Sequence, residues 1–208
     1  MSRYTLSGLY AITDSTLMAD DETLLNSVEQ ALKGGAAIVQ YRDKSDDADK
    51  RLRQALALNR LCNRFDVPLL INDDIQLAID CGAAGVHLGQ SDGNHTQART
   101  LLGTDAIIGI TCHDDLALAE QARADGADYI AFGAFFPSKT KPNAKPAPMG
   151  ILADARQQIQ LPIVAIGGIS VDNAGQVIEA GADMVAVVHA LFAADDITAK
   201  AQQFKKQF

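Results

Sequence analysis

The sequence predicts an α/β fold of the (β/α)8, or TIM-barrel, class, with a single domain over residues 1–208. Three observations favour this fold: short apolar segments alternate with amphipathic ones, a Gly-Ala pair recurs before every second apolar segment, and no glycine-rich loop follows the first. The chain has 208 residues, of which 48% are hydrophobic and 21% are charged. This composition is typical of globular proteins, and the length is at the compact end for eight βα units.

Each apolar segment is short, rich in Ile, Val or Leu, and bounded by Gly, Pro or Asp. Such segments are typical of parallel strands that are buried on both faces. In chain order the segments are GLYAITD from Gly8, AIVQYRD from Ala37, PLLIND from Pro68, AGVHLGQ from Ala84, AIIGITC from Ala106, DYIAFGAFF from Asp128, PIVAIGG from Pro162 and MVAVVHAL from Met184.

Helical patterns separate these strands, as in ETLLNSVEQALKG, DADKRLRQALALNRLCNRF and DLALAEQARADG. Their apolar residues recur every three or four positions, which places one apolar stripe on each helix. The alternation of strand and helix predicts right-handed βαβ units and a parallel sheet. An open doubly wound sheet is the main alternative, but that fold usually has fewer strands and a glycine-rich turn after the first one. Here the first strand leads into ITDSTLMADDE, which contains no glycine.

A repeated Gly-Ala pair supports the barrel. The pairs are Gly35-Ala36, Gly82-Ala83, Gly126-Ala127 and Gly181-Ala182. Each stands at the end of a helical pattern, where glycine supplies a left-handed turn and alanine leads back into the sheet. The pairs precede strands two, four, six and eight, which is the pattern expected of duplicated pairs of βα units.

Charge and cysteine content exclude several classes of protein. The net charge is −8, from 18 Lys and Arg against 26 Asp and Glu, which disfavours a general nucleic-acid binder. No apolar run reaches the roughly 18 residues of a membrane span, and the amino terminus has no signal-peptide pattern. Cys62, Cys81 and Cys112 fit neither a disulfide framework nor a zinc site, so we expect reduced thiols in a cytoplasmic protein. Cys112 is the most interesting of them because polar residues surround it in the sequence.

In barrels of this class the active site lies at the carboxyl ends of the strands. Strand two ends with Gln40, Arg42 and Lys44, which share one face because side chains alternate along a strand. Two cations and an amide at the barrel mouth suit a phosphate or diphosphate. A solvated, salt-bridged rim that includes Asp43 and Asp46 explains the same segment equally well.

Carboxylates follow strands three and four. Asp73 and Asp92 come from neighbouring loops and could together hold Mg²⁺, which takes one or two protein carboxylates and keeps several waters. The alternative is that these aspartates cap the helices that follow, and Asp74 is the most typical cap. After strand five, Thr111 could donate its hydroxyl to a phosphate. His113 could act as a general base or as a helix cap.

Two further segments suit anions. The loop after strand six, Pro137 to Gly150, carries lysines and hydroxyls, and no acidic residue occurs from Tyr129 to Ala153. We expect it to form a lid over phosphates, with an exposed basic loop as the alternative. After strand seven, Gly167 and Gly168 would let an anion approach the backbone, although tight helix–strand packing around Gly167 gives the same pattern.

A resemblance adds to this interpretation. The phrases YAITD, QYRDK, INDD, GVHLGQSD, GITCHD, FPSKTK, AIGGIS and AVVHA occur in this order and cover almost the whole chain. In order and spacing they resemble the thiamine-phosphate synthase family. The resemblance implies a (β/α)8 barrel that joins an aminopyrimidine-methyl diphosphate to a thiazole phosphate, or its carboxylated form. The products are thiamine phosphate and pyrophosphate.

The same resemblance implies roles for individual residues. Contacts to the pyrimidine diphosphate fall on Gln40, Tyr41, Arg42, Asp43, Lys44 and Asn72, with Thr111 and Lys141 as further contacts on the diphosphate side. Contacts to the thiazole phosphate fall on Ser138, Lys139, Thr140, Gly168, Val188 and His189. The Mg²⁺ ligands are Asp73 and Asp92. Thr111 and His189 stand where the family usually has serine, and Ser138 stands where it usually has threonine.

The chemistry implied is a dissociative displacement in which Arg42, Lys44 and Lys141 neutralise the leaving pyrophosphate without a covalent nucleophile. Three rivals remain. A thiazole tautomerase of the same superfamily would use His113 and no metal, and a binding protein would hold thiamine precursors without turnover. A phosphosugar isomerase needs a facing acid and base, for which no convincing pair is evident. We expect small-molecule partners, no nucleic acid and no membrane, and the sequence leaves self-association open.

Overall fold

Eight parallel strands close into a barrel in the computed structural model, which describes residues 4–91, 95–137 and 146–208. The strands follow one another around the barrel in chain order, and β1 closes it by pairing with β8. The predicted fold class is therefore confirmed, and each predicted apolar segment coincides with one strand, although the fifth strand extends one residue further than its predicted segment, to His113. The strands are β1 Gly8–Ile12, β2 Ile38–Tyr41, β3 Leu69–Asn72, β4 Gly85–Leu88, β5 Ile107–His113, β6 Tyr129–Phe132, β7 Ile163–Ile166 and β8 Met184–Val187.

Helices surround the strands on the outside of the barrel. They are α1 Asp21–Gly34, α2 Ala48–Arg64, α3 Ile75–Cys81, α4 His95–Leu102, α5 Leu116–Ala124, α6 Gly150–Gln158, α7 Val171–Glu179, α8 His189–Phe192 and α9 Ile197–Lys205. The last βα unit differs from the others because a single turn, α8, precedes the longer α9. None of the described helices is both long enough and apolar enough to cross a lipid bilayer.

Helix ends follow the signals in the sequence. Asp74 caps α3 by accepting a hydrogen bond from the Leu77 backbone N–H at 2.9 Å, and Asp115 caps α5 in the same way at Ala117. The cap interpretation of Asp74 is confirmed, and the cap after β5 is Asp115 rather than His113. Gly35 and Gly82 form left-handed C-caps, as predicted. The other two Gly-Ala pairs lie one residue beyond the C-caps of α5 and α7.

Alternation of side chains along the strands produces two cores. The inner core fills the barrel, and its buried members are Tyr10, Ile12, Ile38, Leu70, Ile107, Tyr129, Ala131, Val164, Met184 and Ala186. The outer core lies between the barrel and the helices and includes Tyr41 and Cys112. Cys112 therefore packs against the helices, and burial raises the pKa of its thiol to about 12. All three cysteines are buried free thiols.

Gly109 makes room for a large ring in the inner core. It pairs in register with Tyr129 on the neighbouring strand. A Cβ atom at position 109 would lie 1.9 Å from Cζ of that tyrosine. The absence of a side chain at Gly109 therefore allows the Tyr129 ring to lie across the barrel interior.

We predict that Gly109→Ala lowers the free energy of unfolding by about 1–3 kcal/mol, because the ring of Tyr129 has to shift inside a close-packed core. Urea denaturation measures the change. The matched control is Gly175→Ala in α7, where the added Cβ would be in ordinary contact, 3.6 Å from Oε1 of Gln207. That control should gain up to about 1 kcal/mol from helix propensity. Equal stability of G109A and the wild type would contradict this account of the core.

Candidate active site

A cavity of about 1060 Å³ opens at the carboxyl ends of the strands. Residues of all eight strands line it, together with the loops that follow them. The strand residues are represented by Ile12, Gln40, Asn72, His87, Thr111, Ala131, Ile166 and Ala186. The cavity is large enough to hold two small heterocyclic molecules side by side. We call it the barrel cavity.

Many of the residues predicted from the sequence meet in the barrel cavity, although they are far apart in the chain. Those that line it are Gln40, Arg42, Lys44, Asn72, Asp73, Thr111, Gly168, Val188 and His189. Closure of the barrel explains this convergence, because residues at the ends of β2 and β8 both lie beside β1. Five predicted residues lie outside the described residues: Asp92, Ser138, Lys139, Thr140 and Lys141.

The structure does not bring the side chains of Tyr41 and Asp43 to the barrel cavity. Tyr41 lies in the outer core, where its hydroxyl donates to Oε1 of Gln54 at 2.7 Å. Alternation along β2 explains this, because Gln40 and Arg42 take the inward positions. Of the segment from 40 to 44, the residues that line the barrel cavity are therefore Gln40, Arg42 and Lys44.

Asp43 instead fixes the loop between β2 and α2. Its side chain is 1% exposed and forms an ion pair with Nζ of Lys50 at 2.8 Å. Its other oxygen accepts the backbone N–H of Ser45 at 2.7 Å. Burial raises the pKa of Asp43, but the hydrogen bonds from Lys50 and Ser45 outweigh it and leave the pKa lowered. The ionised Asp43 thus stabilises the loop that carries Lys44.

The position of Arg42 is set by the end of β1. The backbone N–H of Arg42 donates to Oγ1 of Thr13 at 2.9 Å. Asp14, which follows Thr13, lines the barrel cavity and accepts both the backbone N–H and the hydroxyl of Thr16. Burial raises the pKa of Asp14, but the Thr16 hydrogen bonds and the nearby Arg42 and His189 leave it lowered. The side chain of Arg42 is half-buried.

Asp14 was not among the residues predicted for the site. Its position at the end of an apolar strand segment is the signal that could have found it, because the same pattern predicts Asp73 for the site. The ionised Asp14 faces two groups that can carry positive charge, so it balances charge on one side of the barrel cavity.

Asp73, which follows β3, forms an ion pair with Lys44. Its Oδ2 accepts hydrogen bonds from Nζ of Lys44 and from the amide of Asn72. The backbone of Asp73 is left-handed, with φ 63°, and His113 on the rim has φ 52°. Non-glycine residues in this region are strained, and such residues cluster at functional sites. Within the described ranges, no three His, Cys, Asp or Glu side chains are grouped so as to hold a metal.

The glycines after β7 support close packing of two loops. A Cβ at Gly167 would lie 2.3 Å from Cβ of Ala134, and a Cβ at Gly168 would lie 2.4 Å from the carbonyl oxygen of Pro137. Tight packing around Gly167 is therefore present, but it is between two loops rather than between a helix and a strand. Because Gly168 also lines the barrel cavity, this packing brings the loops after β6 and β7 together at its edge.

A chain of hydrogen bonds crosses the floor of the barrel cavity. Nε2 of Gln40 donates to the hydroxyl of Tyr10 at 2.6 Å, and that hydroxyl lies 2.8 Å from the hydroxyl of Tyr129. Nδ1 of His87 lies 2.8 Å from the Tyr129 hydroxyl, and its Nε2 lies 2.8 Å from Oγ1 of Thr111. We call these five residues the inner hydrogen-bond chain.

The three central members of this chain, Tyr10, Tyr129 and His87, were not predicted from the sequence. They occupy inward positions of β1, β6 and β4, so strand alternation was the signal that could have found them. The ring of His87 stacks on that of Tyr129, with centroids 5.6 Å apart and an interplanar angle of 19°. Burial raises the pKa of Tyr10 and of Tyr129, so both phenols stay protonated.

Comparisons with known proteins agree with the fold and show the family. A model of the family described as "Thiamine monophosphate synthase" matches residues 9–191. A thiamine-phosphate synthase of Marinobacter nauticus is 58% identical over 203 residues, which are 97% of this chain and 90% of that protein.

Solved structures show the same relationship. The thiamine phosphate pyrophosphorylase of Pyrococcus furiosus superposes with a TM-score of 0.86 at 30% identity, and the match covers 97% of this chain and 95% of that one. A thiamine phosphate pyrophosphorylase of Bacteroides thetaiotaomicron, at 15% identity and a TM-score of 0.68, covers 96% of both chains and supports the fold.

The loop anchor at Asp43 gives a prediction with a defined dependence on pH. Asp43→Asn should lower the free energy of unfolding by about 1–3 kcal/mol at neutral pH, because Lys50 loses a buried charged partner. Since the folded-state pKa of Asp43 is lowered, its contribution is present above the ordinary value of 3.8 and is lost as pH falls through the folded-state pKa. The difference between D43N and the wild type should therefore shrink in acid.

Urea denaturation at neutral and acidic pH measures this difference. Asp46→Asn is the matched control, because Asp46 is an exposed aspartate of the same loop, and its change should stay within about 0.5 kcal/mol. If D43N and D46N were equally stable at neutral pH, Asp43 would not anchor the loop.

Proposed function

The chain belongs to the thiamine monophosphate synthase family and is a transferase, and from this premise we propose the reaction it catalyses. It joins 4-amino-2-methyl-5-hydroxymethylpyrimidine diphosphate to hydroxyethylthiazole phosphate, or to the carboxylated thiazole, and releases pyrophosphate. One observation carries the proposal: Gln40, Arg42 and Asp73, from two different strand ends, line one cavity large enough for both heterocycles.

The diphosphate lies at the mouth of the barrel cavity beside Arg42 and Lys44. Arg42 is half-buried and held at its backbone by Thr13, and its charge helps to lower the pKa of Asp14 on the cavity wall, so positive charge is present at the mouth before the substrate arrives. Preorganised positive charge stabilises the leaving pyrophosphate more effectively than solvent does, because little reorganisation is needed during the reaction. Lys141 adds a further positive charge on the diphosphate side.

We also propose that Mg²⁺ is the cofactor, held by Asp73 and Asp92. The donor set fits, because the half-buried Asp73 carboxylate already attracts the ammonium of Lys44. Carboxylate oxygen is a preferred Mg²⁺ ligand, and one or two carboxylates suffice beside substrate oxygens. When bound, Mg²⁺ supplies positive charge to the diphosphate oxygens. Lys44 then becomes available to the substrate, since its ion pair with Asp73 is exposed and weak.

The protein's own residues bind, orient and exclude water. The bond from the pyrimidine methylene to the diphosphate breaks first, and the electron-rich aminopyrimidine stabilises the resulting cation. The thiazole nitrogen then attacks this carbon from its place beside Gly168 and His189. No covalent nucleophile takes part, and Cys112, with its raised pKa, faces the outer core. Catalysis consists of positioning and electrostatic stabilisation.

The carboxylate pair is tested by Asp73→Ala and Asp92→Ala. Both heterocycles are mixed with each variant, with and without Mg²⁺, and pyrophosphate release is measured. We predict that the wild type releases pyrophosphate only with both substrates and Mg²⁺, and that each variant loses at least about a hundredfold of this activity because a metal ligand is missing. Asp46→Ala, which removes an exposed rim carboxylate, should retain it.

The outcomes separate the metal assignment from the function. Unchanged Mg²⁺-dependent turnover in D73A and D92A would reject the metal site. Metal-independent isomerisation of a thiazole carboxylate would favour a tautomerase that uses His113, which lines the barrel cavity. Tight calorimetric binding without pyrophosphate release would favour a non-catalytic binding protein.

A further inference from the structure

The inner hydrogen-bond chain joins two residues that line opposite parts of the barrel cavity, Gln40 on β2 and Thr111 on β5. We propose that it is a one-directional row of donors that fixes His87 as the neutral Nε2–H tautomer and turns the hydroxyl hydrogen of Thr111 into the cavity. In this arrangement Tyr129 is a positioning residue. The substrate that receives the Thr111 hydrogen bond is the diphosphate of the proposed function, and the proposal rests on that function for this identity.

The direction starts at Gln40. Its Nε2 can only donate, so the oxygen of Tyr10 accepts. The hydrogen of Tyr10 is then directed to the oxygen of Tyr129, and the hydrogen of Tyr129 to Nδ1 of His87. Nδ1 is therefore the unprotonated nitrogen. Nε2 carries the ring hydrogen and donates it to Oγ1 of Thr111.

With the Gln40 amide oriented so that its Nε2 faces Tyr10, the other arrangements leave a hydrogen without a partner. If Thr111 donated to His87, the order would reverse, and Tyr10 would accept from both Gln40 and Tyr129 with its own hydrogen unpaired. If His87 were an imidazolium, its Nδ1–H would donate to the Tyr129 oxygen and the hydrogen of Tyr129 would be unpaired. Tyr10 and Tyr129 are 1% and 0% exposed, so water does not satisfy these groups. An unpaired buried donor is costly, and this cost selects the one-directional arrangement.

This direction determines which groups the two end residues of the inner hydrogen-bond chain offer to a substrate. Thr111 accepts from His87, so its own hydrogen is left to donate, and an anionic oxygen is the partner that suits it. At the other end, donation by Nε2 of Gln40 leaves its Oε1 as an acceptor for a substrate N–H. Tyr129 is not among the residues that line the barrel cavity, yet its hydroxyl sets the polarity of both ends.

The first test is the state of His87 itself. ¹⁵N NMR of the imidazole nitrogens distinguishes the two neutral tautomers and the imidazolium, and loss of the signals in His87→Gln assigns them among the four histidines. We expect the Nε2–H tautomer in the wild type at neutral pH and a change of tautomer in Tyr129→Phe. Detection of Nδ1–H or of the imidazolium in the wild type would overturn the proposal.

Tyr41→Phe is the matched control. It also removes one buried tyrosine hydroxyl, but the partner of that hydroxyl is Gln54 in the outer layer. Both variants should lose similar stability in urea, whereas only Y129F should change the tautomer of His87. If Y41F changed the tautomer to the same extent, the role of Tyr129 would be general packing, and the proposal would fail.

The second test is a double-mutant cycle in the synthase assay. Tyr129→Phe and Thr111→Val should each lower kcat/KM for the pyrimidine diphosphate by about tenfold. The kcat/KM of the double variant should be no lower than that of the less active single variant, because both changes remove the same oriented hydroxyl. Thr111→Ser keeps the hydroxyl and should restore most of the rate.

Multiplicative losses in the double variant would overturn the proposal. The absence of synthase activity in the wild type would reject the proposed function instead. The NMR result needs no turnover, so it would still decide the polarity of the inner hydrogen-bond chain.

Discussion

Closure of the eight-stranded sheet is the constraint on which the rest of the structure depends. β1 pairs with both β2 and β8, so Ala11 lies beside Val39 on one side and Val187 on the other. This pairing brings Asp14, Arg42 and His189 into one cavity although they belong to the first, second and last units of the chain. Parallel strands also place all their carboxyl ends on the same side, so polar residues that follow the strands meet there.

The charged residues at the mouth of the barrel cavity differ in how deeply they are buried, and this difference determines which of them can change partners. Asp43 is buried and tied to Lys50, so this pair is a fixed part of the loop. Lys44 is 57% exposed in its pair with Asp73, and an exposed pair contributes little stability. Lys44 can therefore exchange its partner for a bound anion, whereas Asp43 cannot do so without loosening the loop. This difference separates groups that hold the site from groups that act in it.

The sequence was sufficient to predict the barrel, its eight strands and the convergence of Gln40, Arg42 and Lys44. Short apolar runs and strand alternation are local patterns, and such patterns are visible in a single sequence. The resemblance implies substrate contacts for every position from 40 to 44, whereas alternation turns only every second side chain inward. The side chain of Tyr41 instead lies in the outer core, and that of Asp43 anchors the loop between β2 and α2.

Alternation along each strand predicts which residues face the barrel interior, but it does not predict the hydrogen bonds of the inner hydrogen-bond chain. Tyr10, His87 and Tyr129 belong to three strands whose relative register becomes known only when the barrel closes. Each taken alone resembles an ordinary core residue. Gly109 shows the same limit, because its reason for being glycine is the Tyr129 ring of the next strand. Contacts between strands are a property of the fold, so they carry no signature in any single segment.

The central claim is that the mouth of the barrel binds a polyanion between Arg42 and the Asp73 carboxylate. The most direct measurement is a crystal structure of the full chain grown with Mg²⁺ and pyrophosphate. We predict pyrophosphate oxygens within hydrogen-bond distance of the Arg42 guanidinium and a divalent ion on the carboxylate of Asp73. Pyrophosphate bound away from Arg42, with Asp73 still paired to Lys44 and without a metal ion, would contradict the account.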